Sequence, residues 1–326
     1  MSDGDSIGLV TTSPPQHATA VRPSWRELPQ ELRDGLADRV GAIATATTQT
    51  GGFTPGLAVR LQLTDGQRVF AKGIRSDHVL AGKYRVEAVT ARRLPGATPA
   101  PRLRWDGDIA GWVVLVFDDI DGRHAELSPG SPDTGPVVAT IARLAALLTP
   151  CPVPDAPPAT VELAEVVHGW GELAAQPPDD LDDWTRRHLD DLAALETRWL
   201  ATAEGKTLLH GDINQSNLLI DCNGLVTLID WAQPVCGAAW IDVADLVPHL
   251  ILAGHDPTNA EHAVSGVPAW RDTDPAAITS YAAAFAGYWA RNSRLPAPPG
   301  VPHLRGHQAR AAQAAIAWTR FRTGWS

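Results

Sequence analysis

The stretch Leu208-Leu-His-Gly-Asp-Ile-Asn-Gln-Ser-Asn-Leu-Leu-Ile-Asp-Cys-Asn-Gly-Leu-Val-Thr-Leu-Ile-Asp230 sets Asp212, Asn217 and Asp230 against apolar runs. The runs 218–220 and 225–229 flank Asn-Gly, the pair best suited to a two-residue hairpin turn. We therefore predict an antiparallel hairpin with Asn217 directly opposite Asp230. Opposed Cβ atoms lie roughly 4.5–5.5 Å apart, so an amide oxygen and a carboxylate can share one hard cation such as Mg²⁺.

Asp212 precedes this hairpin in a loop and remains free to meet a substrate hydroxyl. Asn and Asp are also common at turns, so strand termination is the alternative interpretation of Asn217 and Asp230. The order of the residues argues against it. His-x-Asp-x-x-x-x-Asn, followed by an apolar residue and Asp after the next strand, is the order of kinase catalytic and metal-binding loops.

The segments 210–217 (His-Gly-Asp-Ile-Asn-Gln-Ser-Asn) and 228–232 (Leu-Ile-Asp-Trp-Ala) resemble the signatures of the aminoglycoside phosphotransferase and choline-kinase-like family. The resemblance covers about residues 50–290. It implies an α+β, protein-kinase-like two-lobed fold with a small β-rich N-lobe and a larger, mostly helical C-lobe. His-Gly-Asp stands where protein kinases have His-Arg-Asp, and the missing Arg typically reads activation-loop phosphorylation. This departure favours a small-molecule kinase without that control.

Composition limits the class of protein and its partners. Hydrophobic residues make up 44% of the 326 positions and charged residues 20%, as in an ordinary globular protein. No apolar run approaches the roughly 18 residues of a membrane helix, and the first residues lack the pattern of a secretory signal. The three cysteines do not form a paired framework. We therefore expect a cytoplasmic protein with no membrane partner.

The net charge of −10 disfavours nucleic acid as a partner, because nucleic-acid binding relies on Lys and Arg contacts to phosphates. A small hydroxylated acceptor that carries positive charge is the more natural partner. The oligomeric state is left open between a monomer and a homodimer.

Alternation of apolar and polar residues, together with glycine and proline positions, predicts the organisation of the chain. Residues 1–22 form a flexible arm, 23–117 the N-lobe, 118–124 a hinge and 125–326 the helical C-lobe. Strands are predicted at 57–63, 68–72, 102–105 and 111–117. Helices are predicted at 25–44, 79–94, 135–148, 159–174, 180–203, 241–253, 274–292 and 303–321.

The nucleotide half of the site is predicted in the N-lobe. Gly51, Gly52 and Gly56 precede the first predicted strand, where a loop can fold over phosphates, although a plain turn is the alternative. Lys72 ends the second strand and matches the kinase lysine that orients ATP phosphates. Glu87 lies on the following helix and can pair with Lys72, unless it is a solvated helix glutamate. No Gly-x-x-x-x-Gly-Lys-Ser/Thr motif exists, which argues against a P-loop NTPase.

The resemblance implies further roles around the cleft. Backbone groups of Val116, Phe117, Asp118 and Asp119 are expected to bond the adenine edge. Asp242 is expected to anchor the catalytic loop rather than act as a base. His210 is expected to be a hydrogen-bonded scaffold of that loop, with general base as the alternative.

The leading hypothesis is an ATP-dependent O-phosphotransferase that uses Mg²⁺, with GTP open as the donor. An aminoglycoside or another antibiotic is the favoured acceptor, and an amino sugar or amino alcohol is close behind. Asp212 would take or orient the hydroxyl, Asn217 and Asp230 would hold the metal, and Lys72 with Glu87 would fix the phosphates. The competing hypotheses are a nucleotide-binding regulator of the pseudokinase type and a kinase for a macromolecule.

Overall fold

A computed structural model describes residues 20–326, so nearly all of the arm predicted at 1–22 lies outside the described residues. The N-terminal lobe is built on a five-stranded antiparallel sheet with the strand order β1-β2-β3-β5-β4. Within the described range, no helix is both long and apolar enough to cross a membrane. The strands are β1 (Ile43–Thr48), β2 (Leu57–Leu63), β3 (Arg68–Arg75), β4 (Leu103–Ile109) and β5 (Trp112–Asp118).

Two helices cover opposite faces of this sheet, which explains why β5 is buried on both sides. Trp112, Val114 and Val116 pack with the leucines of α1 (Gln30–Val40). The alternate residues Val113, Leu115 and Phe117 pack with α2 (Ala81–Arg93). Successive side chains of a strand point to opposite faces of the sheet, so the apolar residues of β5 contribute to the cores on both faces.

The helix predicted over 25–44, with Pro29 either in its first turns or after a separate short turn, was wrong at its C-terminal end, because the helix stops at Val40 and β1 begins at Ile43. A 3₁₀ turn at Trp25–Glu27 precedes α1, which ends at Gly41 with φ +104°. A glycine at positive φ commonly terminates a helix. The chain then continues as β1, whose three threonines favour an extended backbone.

The C-terminal lobe is mostly helical and holds one large apolar core. Its helices are α3 (Thr134–Leu147), α4 (Ala159–Val166), α5 (Trp170–Ala175), α6 (Asp183–Arg187), α7 (Leu189–Leu195), α8 (Trp240–Leu252), α9 (Pro257–Val264), α10 (Pro268–Arg271), α11 (Pro275–Asn292) and α12 (Leu304–Thr323). Two small antiparallel sheets, β6-β8-β9 and β7-β10, carry the loops described below. Their strands are β6 (Gly122–His124), β7 (Thr207–Leu209), β8 (Leu218–Asp221), β9 (Val226–Leu228) and β10 (Val235–Gly237).

The predicted α+β two-lobed architecture is thus confirmed, with two local corrections. The segments 159–174 and 180–203 are each broken into shorter helices rather than forming one helix apiece. The end of the predicted hinge, Gly122–His124, is a strand that pairs with β8. A hinge over the remaining residues stays a prediction.

Candidate active site

The loop that carries Asp212 begins where β7 ends and is anchored from α8. Both oxygens of Asp242 accept backbone N–H groups, that of His210 at 2.8 Å and that of Gly211 at 3.1 Å. Gly211 has φ +73°, and a Cβ there would lie 2.4 Å from the carbonyl oxygen of Gln233. The predicted anchoring role of Asp242 is confirmed, and the loop path requires glycine at 211.

His210 is fully buried and serves as part of this scaffold. Its Nε2 lies 3.0 Å from the carbonyl oxygen of Ile229, and its ring packs edge-on against Trp231 at 4.7 Å between centroids. The histidine therefore links the loop to the end of the hairpin. These contacts agree with the predicted scaffold role.

The two carboxylate oxygens of Asp212 are held by different amides. Asn214 Nδ2 donates to Oδ1 at 2.9 Å, and Asn217 Nδ2 donates to Oδ2 at 3.0 Å. Burial, with a contribution from Asp230, raises the pKa of Asp212 to about 6, although His210 and the two amides act against the rise. A fixed carboxylate with a raised pKa suits a group that accepts a proton near neutral pH.

The hairpin after Asp212 has a different register from the predicted one. Leu218 pairs with Leu228, and Ile229 donates to the carbonyl oxygen of Asn217 at 3.0 Å, so Asn217 does not stand directly opposite Asp230. The loop comprises three residues, 222–224, and only its glycine has positive φ. Such loops place glycine in the left-handed position.

The side chain of Asp221 explains the longer loop. Its Oδ1 accepts the backbone N–H groups of Asn223 and Leu225, each at 2.8 Å. An aspartate that bonds the backbone two residues ahead is a common turn former. The interpretation of Asn-Gly as the whole turn missed this contribution.

Asp230 reaches the cleft through its backbone conformation. Its φ of +68° is one of two positive values at non-glycine positions among the described residues. Strained residues of this kind concentrate at functional sites. Oδ1 accepts a hydrogen bond from Lys72 Nζ at 2.8 Å, while no described residue bonds Oδ2.

The oxygens of Asn217 and Asp230 fit a hard cation that is completed by phosphates. Both donor types are those that Mg²⁺ prefers, and Mg²⁺ is usually held by one or two protein groups plus substrate phosphates. No cluster of three or more His, Cys, Asp or Glu side chains suited to a metal occurs within residues 20–326. The assignment of Asn217 and Asp230 as metal ligands stays a prediction.

Lys72 and Glu87 form the predicted ion pair, with 2.5 Å between Nζ and Oε2. Nζ also lies 5.2 Å from the ring centroid of Tyr84. Burial alone would lower the pKa of Lys72, but Asp230 and Glu87 outweigh it and hold the pKa above its usual value. Burial raises the pKa of Glu87 to about 7. The lysine is therefore a fixed positive charge that faces the end of the hairpin.

The three predicted loop glycines lie in the connection between β1 and β2. Gly52 has φ +86° and Gly56 has φ +114°. A Cβ at Gly56 would lie 2.5 Å from the carbonyl oxygen of Gly73, next to Lys72, whereas a Cβ at Gly51 would meet nothing within 4 Å. The loop thus passes close to the lysine strand, and its contact with phosphates stays a prediction.

The residues predicted to face adenine are largely committed to the sheet. Val116 and Phe117 pair with strands on both sides, and Asp118 donates its N–H to the carbonyl oxygen of Arg102. The Asp119 carboxylate lies 3.0 Å from Arg60. Adenine binding at this segment stays a prediction.

The sequence interpretation did not identify Asn214 or the contact between Lys83 and Gln233. Asn214 holds Asp212 and also accepts the N–H of Ser216 at 3.0 Å. Lys83 Nζ lies 3.0 Å from Gln233 Oε1 and so joins α2 to the segment after the hairpin. The Asn two residues after Asp212 was a visible signal, because Asn commonly caps a turn. The contact between Lys83 and Gln233 spans the cleft, and no sequence pattern indicated it.

A lysine paired with a helix glutamate, an amide-held aspartate and a second aspartate after a hairpin together define a kinase-like phosphotransferase site. The sequence model of the phosphotransferase enzyme family, abbreviated APH, matches residues 57–291. The chain therefore belongs to this family of small-molecule kinases, which transfer phosphate to hydroxyl groups. The resemblance drawn from the two motifs is confirmed. No curated protein matches the sequence.

Solved structures show the same architecture. The aminoglycoside phosphotransferase from Alicyclobacillus acidocaldarius subsp. acidocaldarius is 17% identical with a TM-score of 0.60, covering 91% of this chain and 96% of that one. The choline kinase LicA from Streptococcus pneumoniae is 13% identical with a TM-score of 0.60, covering 87% and 97%. The amicoumacin kinase hAmiN, in complex with AMP-PNP and Ca²⁺, is 12% identical with a TM-score of 0.55, covering 91% and 94%. At these identities the likeness shows the fold alone.

Proposed function

We propose that the protein is an ATP-dependent O-phosphotransferase for a small hydroxylated acceptor. The observation that carries this proposal is the convergence of four side chains from distant parts of the sequence. Lys72 reaches Asp230 at 2.8 Å, and Asn217 reaches Asp212 at 3.0 Å. Phosphoryl transfer needs these four positions. A nucleotide-binding regulator has no need of all of them.

The chain's own residues supply positioning and charge. Asp212 takes the proton of the acceptor hydroxyl as the acceptor oxygen bonds to the γ-phosphorus and the bridging oxygen leaves with ADP. The amides of Asn214 and Asn217 keep its carboxylate in one orientation. Lys72, held by Glu87, places a positive charge at the phosphates. Asn217 and Asp230 would hold Mg²⁺, which would supply neutralisation of the phosphate charge.

The acceptor side of the cleft supports a molecule that carries positive charge. Tyr288 and Trp289 are half-buried on α11, with 4.9 Å between their ring centroids. Burial raises the pKa of Tyr288, and the charge of Asp212 adds to the rise while Arg291 and Arg305 oppose it. Aromatic faces beside a carboxylate favour ammonium groups. We therefore propose an aminoglycoside or another antibiotic as the acceptor, with an amino sugar or amino alcohol as the second candidate.

A screen of acceptors by mass spectrometry tests the proposal. Aminoglycosides, other hydroxylated antibiotics, amino sugars and amino alcohols are incubated with enzyme, Mg²⁺ and either ATP or GTP. The expected result is a nucleotide-dependent mass gain of one phosphoryl group on one class. An Asp212→Ala sample serves as the control for contaminating kinases. Tight nucleotide binding without transfer to any small acceptor would contradict the proposal and favour the regulator or a macromolecule kinase.

A further inference from the structure

Arg22 lies in a short segment that crosses from the C-terminal lobe to the glycine-rich loop. The preceding residue, Val21, donates its N–H to the carbonyl oxygen of Gly300 at 2.8 Å, in the connection between α11 and α12. Ala20 is buried. The segment is therefore tied to the C-terminal lobe immediately before Arg22 extends toward the N-terminal lobe.

The guanidinium of Arg22 is hydrogen-bonded to the backbone of the glycine-rich loop. Nε donates to the carbonyl oxygen of Thr54 at 2.9 Å, and Nη1 donates to those of Gln49 at 2.8 Å and Gly51 at 2.5 Å. A Cβ at Gly52 would lie 3.2 Å from Nη2. One planar group thus bonds three carbonyls of a loop that contains three glycines.

The charge of this guanidinium is not matched by a contacting carboxylate. No Asp or Glu among residues 20–326 lies within salt-bridge distance of Arg22. Burial lowers the pKa of Arg22, while Tyr84 and then Asp230 act in the opposite direction because both are near. Partly buried charges are usually paired. Arg22 interacts electrostatically with Tyr84 and Asp230, and Lys72 contacts both of these residues. A positive group in this surrounding without a carboxylate in contact points to an anion as its partner.

The tip of the loop is also held from the C-terminal lobe. The ring of Phe53 lies 4.9 Å from that of His307 on α12. A Cβ at Gly300 would lie 3.6 Å from Cβ of Pro55. The loop is therefore held both by Arg22 and by contacts of Phe53 and Pro55 with the C-terminal lobe.

We propose that Arg22 is a positioning residue for the nucleotide phosphates, which fixes the glycine-rich loop over them and adds its charge to that of Lys72. This inference rests on the proposed use of ATP. Arginine suits the task because its fork can bond carbonyls along one edge and still present N–H groups to a phosphate. A loop brace without contact to phosphate charge is the alternative.

Dissociation constants for adenosine and for Mg-ATP separate the two roles. Arg22→Gln keeps a hydrogen-bond donor but removes the charge, Arg22→Lys keeps the charge but loses the fork, and Arg26→Gln is the control at an exposed arginine of the same segment. We expect Arg22→Gln to weaken Mg-ATP by about tenfold, the scale of one hydrogen bond to a charged group, and to leave adenosine within about twofold. Arg22→Lys should recover part of the Mg-ATP loss, and Arg26→Gln should match the wild type.

Equal weakening of adenosine and Mg-ATP in both Arg22 variants would overturn the proposal in favour of a brace, and so would unchanged binding of both ligands. Lys72→Ala distinguishes this failure from that of the proposed function. If the wild type binds Mg-ATP and Lys72→Ala weakens it while Arg22→Gln does not, only the inference about Arg22 fails. If the wild type does not bind Mg-ATP, the proposed function and this inference fail together.

Discussion

Asp212 combines two properties that define its expected behaviour, fixed orientation and a raised pKa. The amides of Asn214 and Asn217 hold one oxygen each, and burial raises the pKa of the carboxyl to about 6. A carboxyl that must accept a proton is inactive when it is protonated. Activity should therefore fall as the pH drops through this pKa, rather than near the ordinary value for Asp.

We predict that wild-type kcat/KM declines below about pH 6, because this parameter reports the free enzyme. Asp212→Asn should lower turnover by roughly 10²-fold or more while binding Mg-ATP nearly as the wild type does, because the lost interaction belongs to the transition state. A coupled ADP assay and calorimetry measure the two effects. A flat pH profile through 6, or near-normal turnover of the variant, would place the base elsewhere.

At the scale of elements, local sequence predicted β2 to the residue and the eight-residue signature of the catalytic loop, 210–217, but not how elements meet. The predicted helix over 159–174 breaks at Gly169, where a Cβ would lie 2.1 Å from the carbonyl oxygen of Gly287. Glu196 accepts the N–H groups of Gly169, Trp170 and Gly171 at 2.8–2.9 Å. Periodicity within the segment cannot reveal a cap supplied from 25 or more residues away.

The catalytic hairpin shows the same limit on a shorter scale. Sequence identified both strands and the turn glycine, yet the side chain of Asp221 lengthened the loop by one residue. Asp230 still reaches the cleft because its backbone takes positive φ. The order of the motif thus predicted which side chains come together, whereas the geometry that joins them was not predictable.

The revised register predicts how the hairpin glycine responds to substitution. A Cβ at Gly224 meets nothing within 4 Å, so Gly224→Ala tests the φ of +80° alone. We expect a loss of about 1–2 kcal/mol in the free energy of unfolding, the cost of a left-handed backbone for an L-residue. Gly135→Ala is the matched control, because that position is equally open but helical.

The control should be neutral or stabilising by up to about 1 kcal/mol. Urea denaturation of both variants provides the comparison. Equal stability changes in the two variants would contradict the three-residue loop with a left-handed glycine.

At the scale of the whole molecule, the contacts that cross the cleft come from a few side chains. Lys72 meets Asp230, and Lys83 meets Gln233, so each contact joins the N-terminal sheet or its helix to the segment after the hairpin. Sequence predicted the two lobes and the family fold, since each lobe has its own apolar pattern. The contacts between lobes depend on single side chains and on isolated backbone hydrogen bonds, such as that from Leu228 to Pro99, and follow no periodicity.

The last prediction concerns Asp230, which belongs to one lobe and binds the lysine of the other. A ligand that binds only the folded state stabilises it by about 2.7 kcal/mol at a hundred times its dissociation constant, so Mg-ATP should raise the melting temperature. Asp230→Asn should lose the part of this rise in melting temperature that depends on Mg²⁺. It should keep the part that ATP gives when a chelator removes Mg²⁺. Asn tolerates positive φ well, so the variant removes charge without adding backbone strain.

Asp256→Asn is the matched control, because Asp256 caps α9 and Asn serves equally well as a helix cap. This variant should respond to Mg-ATP like the wild type. An undiminished Mg²⁺ effect in Asp230→Asn would show that the cation is held by other groups.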